Sequence, residues 1–134
     1  MIKISDLQLG DIVKATFEET TNIGEVTRID KAERKAIVAH GDQEFWYDEK
    51  DLAPVPLDET QLLNLKFTKE DQEDGSVKYL KGAFRIHLPK KGDFSRMEVW
   101  YRQERSIIDN PINVHDLQNH HLRMTKIHLT EEAY

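Results

Sequence analysis

Pro54-Val55-Pro56 limits the folding of this chain more than any other feature. Each proline fixes its own φ, lacks a backbone donor and pushes the preceding residue toward extended geometry. Neither a helix nor an interior strand runs through such a triplet. It therefore predicts a module boundary, with residues 1–57 on one side and residues 58–134 on the other. Pieces this short bury a modest share of their surface and must wrap tightly around whatever core they have. The core is lean, because only 38% of the 134 residues are hydrophobic. There is no cysteine, so disulfides cannot staple the fold and thiolate chemistry is excluded. No apolar run approaches the ~18 residues of a membrane helix, and no cationic, apolar leader opens the chain. The expectation is a cytoplasmic protein without a membrane span.

In the first module, Asp11–Phe17 sets Val13, Ala15 and Phe17 at period two, the alternation of a half-buried strand. Glu25–Asp30 and Lys35–His40 follow as strands, set off by Asn22-Ile23-Gly24 and Asp30-Lys31-Ala32-Glu33. His40-Gly41-Asp42 then turns the chain into the aromatic strand Gln43–Tyr47. A fifth short strand near Leu52–Val55 lets this small sheet curl into a barrel and hide its edges. Leu9-Gly10-Asp11-Ile12-Val13, followed by Gly24-Glu25-Val26, resembles the opening of SH3-like barrels, which implies that fold for residues 1–57.

Beyond the prolines, Asp58-Glu59-Thr60-Gln61 has the form of a capping box. A helix follows to about Lys66, with Leu62, Leu63, Leu65 and Phe67 in need of cover. Strands at Val77–Leu80, Ala83–Leu88 and Met97–Arg102 supply it, the Asp74-Gly75 pair turning into the first. Asn113 caps a second helix toward Met124, with Val114, Leu117, His121 and Met124 on one stripe, and the last residues fray. The expected class is α+β: an N-terminal SH3-like small β-barrel, then a small antiparallel sheet covered by two helices.

Little in the chain suits catalysis. His115, His120, His121 and His128 crowd the C-terminus, but ligands on one helix face stand three or four apart. His115 stands five and six residues from His120 and His121, and His128 lies seven beyond His121. No metal site and no cofactor are expected; His115 reads as a helix N-terminal hydrogen-bonder and His121 as half-buried packing. Ser5, Ser76, Ser95 and Ser106 lack a Gly-x-Ser-x-Gly elbow, and the six glycines are scattered singly instead of forming a phosphate loop. Glu70-Asp71-Gln72-Glu73-Asp74 lacks the register of a calcium loop and reads as a solvated turn.

Charge is unevenly spread within a net −6. Residues 1–57 hold seven Lys and Arg against twelve Asp and Glu, whereas residues 78–128 hold ten against five. Two candidate surfaces follow. In Phe45-Trp46-Tyr47, Trp46 points outward if its neighbours point in, either docking a peptide or packing on the second module. In the second sheet, Phe84, Ile86 and Leu88 alternate with Arg85 and His87, and Met97, Val99 and Tyr101 with Glu98, Trp100 and Arg102. If the apolar set faces the helices, Arg85, His87, Trp100 and Arg102 share the other face. Cations and a stacking ring together are what single-stranded nucleic-acid binders use, although a merely solvated face has the same pattern.

Three segments carry a wider resemblance: Leu9-Gly10-Asp11-Ile12-Val13; Leu52-Ala53-Pro54-Val55-Pro56-Leu57-Asp58-Glu59 with Leu62-Leu63 and Phe67; and Val114-His115-Asp116-Leu117-Gln118-Asn119. In this order and spacing they resemble a family of small uncharacterised proteins encoded by phages, prophages and related mobile elements of Bacteroidota. His115, Gln118 and Asn119 match its C-terminal motif. The chain departs from the family pattern at Lys66, where a helix-ending glycine is usual, at Asp116, where a second amide is usual, and after Met124, where a Thr-Gly-Glu-Glu ending is usual. The resemblance implies a bacterial or phage setting and a non-secreted protein, and it brings no activity with it. The expected function is a non-enzymatic, phage-type accessory protein that binds a macromolecular partner, more readily a protein. The alternative is a weak single-stranded nucleic-acid binder working through the basic, aromatic sheet face.

Overall fold

A computed structural model describes residues 2–130 as two antiparallel five-stranded sheets with two α-helices. The chain divides into two compact units, Met1–Val55 with Asn113–Asn119, and Pro56–Ile112 with the chain from His120 onward. Asn113–Asn119 thus leaves the expected 58–134 module. The reason is specific bonding: the Val114 N–H donates to the Val55 carbonyl, and the Gln118 side chain engages the backbone of Gly10 and Ile12.

In the first unit, β1 (Ile12–Phe17), β2 (Thr20–Asp30), β3 (Lys35–His40), β4 (Gln43–Asp48) and β5 (Leu52–Pro54) lie in the order β4-β3-β2-β1-β5. A 3-10 turn at Glu49–Asp51 joins β4 to β5. The first part of β2 pairs with β1 and the rest with β3, with a bulge between Val26 and Arg28 that raises the local twist. The sheet curls until β4 approaches β1, yet among the described residues no ladder joins β4 to β5, so it stays open. Val13 and Ala15 meet Val26, Ala36, Val38 and Leu52 in one buried apolar cluster.

One expected turn is a strand. Asn22-Ile23-Gly24 lies inside β2, and the chain reverses instead at Glu18-Glu19, where Glu18 takes a φ of 56°. Gly24 belongs in the ladder because its neighbours leave no space: a Cβ there would run into the Ala39 carbonyl oxygen and lie 2.7 Å from Val38 Cγ1.

In the second unit, α1 (Glu59–Asn64) starts at Asp58, whose carboxylate accepts the Gln61 N–H at 2.9 Å. It ends in a Schellman turn: the Lys66 N–H donates to the Leu63 carbonyl and the Phe67 N–H to that of Leu62, with Lys66 left-handed at φ 73°. Five strands follow where two or three were expected. They are β6 (Thr68–Asp71), β7 (Val77–Lys81), β8 (Phe84–Leu88), β9 (Met97–Tyr101) and β10 (Glu104–Ile108), side by side in chain order. Glu70 and Asp71 therefore belong to a strand, which corrects the first part of the acidic stretch, while Glu73-Asp74 forms the turn expected.

One face of this sheet buries Val77, Tyr79, Phe84, Ile86, Leu88, Met97 and Val99, each worth ~1.5–3 kcal/mol when fully removed from water. The Phe84 ring meets Phe67 edge-on at 6.2 Å and His121, from α2 (Val114–Thr125), at 4.6 Å. Among the described residues no helix is long and apolar enough to cross a membrane. Of the terminal stretch expected to fray, residues 131–134 lie outside the described residues.

Candidate functional site

The first sheet ends in aromatic side chains that its core does not reach. Phe17 continues the inward alternation of Val13 and Ala15, but it lies past the end of the cluster and is 67% exposed. Phe45 stands opposite Val38 and so shares its face, yet it is 55% exposed. Phe45 thus points to the inner face, as the alternation with Trp46 requires, but the sheet is open at that end and leaves its ring uncovered. Trp46 points to the alternate face and is 47% exposed, while Tyr47 is half-buried against the cluster. These four rings, with Thr20, Asn22 and Gln43, line a concavity of about 400 Å³. Phe17 and Phe45 were missed by sequence reasoning. The available signal was the Glu18-Glu19 pair directly after Phe17, which marks a strand end and hence the limit of cover.

The second sheet brings Arg85, His87 and Trp100 to one face. Trp100 is half-buried and lies between Arg85 on β8 and Arg105 on β10 in the ladder. Their guanidinium carbons stand 5.5 and 5.7 Å from its ring centroid. His87 Nδ1 lies 3.0 Å from a Glu98 carboxylate oxygen, and Arg105 donates to the other oxygen. The hydrogen bond with His87, with help from Arg105, holds the Glu98 carboxyl below its ordinary range.

Arg102 is elsewhere. Strand β9 stops at Tyr101, and Arg102 adopts a left-handed φ of 57° in the turn to β10. Its guanidinium lies 5.2 Å from the Tyr101 ring, and its carbonyl accepts a hydrogen bond from Arg85. Arg105, on a strand that the sequence did not reveal, takes its place. Both flanking guanidiniums already have acceptors, and Glu98 offsets part of the charge, so this face is less cationic than the alternation implied.

The C-terminal motif serves the fold. Gln118 is buried and its amide holds Gly10 and Ile12, and Asn119 is half-buried. His115 is buried with Nε2 3.6 Å from the Asp116 carboxylate, while among the described residues its Nδ1 has no hydrogen-bond partner, contrary to the expected role of a helix N-terminal hydrogen-bonder. His121 is fully buried, not half-buried, with Nδ1 2.8 Å from the Ile127 carbonyl, and burial lowers its pKa to about 4. Lys81 donates to the carbonyls of Leu65 and Leu129. Among the described residues no group of three or more His, Asp or Glu is placed to hold a metal ion. No protein-family model, curated protein or solved structure matches the chain.

Proposed function

We propose that the protein is a non-enzymatic binding module whose partner is another protein, docked at the open end of the first sheet. The observation that carries this reading is the exposure of Phe17, Phe45 and Trp46 together around one concavity. Contiguous apolar patches rimmed by polar residues mark interaction sites, and large aromatic anchors dominate interface energies. The order β4-β3-β2-β1-β5, with a 3-10 turn before β5, supports reading this unit as a small SH3-like barrel, a fold that docks extended peptides on exposed aromatics. The sequence resemblance supports a phage-type accessory role in the cytoplasm of a bacterial cell. A photo-crosslinking residue at position 46 tests the site. It should capture one dominant protein in bacterial cells, and that protein, once purified, should bind the intact chain but not the Phe17→Ser, Trp46→Ser double variant. Equal binding to both would refute the assignment.

The placement of Trp100 between two guanidiniums supports a second reading, weak stacking of single-stranded nucleic acid on the second sheet. Labelled oligothymidylate should then bind at low salt, fade as salt rises, and lose affinity in Trp100→Ala. No shift at low salt disposes of this reading.

A further inference from the structure

The open end of the first sheet is acidic as well as aromatic. The two segments that build it, residues 17–25 and 40–48, contain Glu18, Glu19, Glu25, Asp42, Glu44 and Asp48 and not one Lys or Arg. Glu18 and Glu19 form the turn just beyond the Phe17–Thr20 pair, and Glu44 lies between Gln43 and Phe45 on β4. Glu18, Glu19, Asp42 and Glu44 are exposed, and among the described residues none has an ion-pair partner. Uncompensated negative charge thus lies next to the aromatic concavity, whose own lining carries no charged side chain. A ring face attracts a cation through its quadrupole, and surrounding carboxylates add a field that steers the same charge inward.

Strand β4 adds a directional element. Among the described residues it lies at the edge of its sheet, paired only with β3, so its outer N–H and C=O groups face no further strand. Exposed edges are usually blunted by Lys or Pro, and Gln43-Glu44-Phe45-Trp46-Tyr47-Asp48 has neither. A second copy of this chain is a poor occupant, because a symmetric pairing of β4 edges would bring like charges together.

We propose that what docks here is a cationic, extended polypeptide segment, which pairs along the free edge of β4 past Trp46 and lays Lys or Arg side chains on Phe17 and Phe45. Alternate residues of an extended segment share one face, so a basic-x-basic spacing places two cations over the concavity. This inference rests on the reading of the site as a protein dock.

The test uses the full chain and three fluorescein-labelled decapeptides that alternate valine with arginine, glutamine or glutamate. The arginine peptide should bind, weaken several-fold between low and high salt, and shift the NMR signals of Phe17, Phe45 and the Trp46 indole. The glutamine and glutamate peptides should bind at least several-fold more weakly. The Glu18→Lys, Glu44→Lys double variant should lose about ten-fold in affinity for the arginine peptide, the scale of two exposed ion pairs, with its melting temperature unchanged. If the glutamine peptide binds as tightly and moves the same signals, the cationic preference is wrong while the protein dock survives. If no peptide moves Trp46, both fail. An unchanged affinity in the double variant, or shifts only outside the concavity, also overturns the proposal.

Discussion

Gln118 is bonded to Ile12 across 106 positions of the chain: the Ile12 N–H donates to Gln118 Oε1 at 2.7 Å. The Nε2 of the same amide donates to the Gly10 carbonyl, also at 2.7 Å. Gly10 takes a φ of 94°, a conformation that glycine adopts freely, and one amide can then satisfy an acceptor and a donor two residues apart. Gln118 on α2 is thus an anchor for the start of β1.

Gln118→Leu keeps the volume but strands both backbone groups, and each unsatisfied buried group costs ~1–3 kcal/mol. We expect a loss of about 2–4 kcal/mol in urea unfolding. Gln118→Glu should fall between, since a carboxylate accepts from Ile12 but, once ionised, has nothing to donate to Gly10. A Leu variant as stable as wild type would show that the clasp contributes nothing.

Lys66 holds a left-handed φ of 73° at the end of α1, a position that favours glycine. Relieving this strain by Lys66→Gly should add about 1 kcal/mol, less the entropy that glycine returns to the unfolded chain. The measurement is a rise in melting temperature; a fall would mean that the lysine side chain contributes more than its backbone costs.

Asp11 is buried, with its carboxylate accepting the Gln8 N–H at 2.9 Å, and burial pushes its pKa up to about 7. Its folded pKa lies above its unfolded value, so the fold favours the protonated acid. The cost of ionising it in place appears as pH rises from about 4 and is complete above about 7. Asp11→Asn removes the charge and keeps an acceptor for Gln8. It should raise stability at pH 8, on the order of 2 kcal/mol, and change little at pH 4. The same gain at both pH values would exclude ionisation as the cause.

His121 has the opposite slope. Burial, with the nearby charges of Lys81, His120 and His128, lowers its pKa from 6.5 to about 4, so the fold holds it neutral. As pH falls through 6.5 the unfolded chain takes up a proton that the folded chain refuses until about 4, and stability is lost over that window. His120, whose pKa burial also lowers, shares this acid limb, so in the Asp11→Asn background adding His121→Gln should reduce its slope without removing it. An unchanged melting-temperature slope between pH 6.5 and 4 would place the acid sensitivity elsewhere.

The central strands were legible, as were the edge strands β4 and β5 of the first sheet, but the two edge strands of the second sheet were not. Lys35–His40 is a strand with the bounds expected, and Phe84, Ile86 and Leu88 are buried in the alternation read from their sequence. Both lie between two neighbouring strands, where one buried face enforces period two. Edge strands β6 and β10 have one neighbour each and half-exposed residues, so their sequences carry no such enforcement. Gly24 shows the other failure: glycine signals a turn in sequence, and only the crowding by Val38 and Ala39 shows that it is required in a strand.

By itself, the sequence determined what depends on neighbours in the chain: the alternation of β1, β3 and β8, the Asp58 cap of α1, and the placing of Arg85, His87 and Trp100 on one face. Tertiary structure alone decided that Phe17 and Phe45 lie uncovered, that Arg105 and not Arg102 flanks Trp100, and that Gln118 binds Gly10 and Ile12. Each of these turns on where an element ends or on what comes to lie against it from far along the chain. Period and propensity are local, whereas cover is a property of the packed whole.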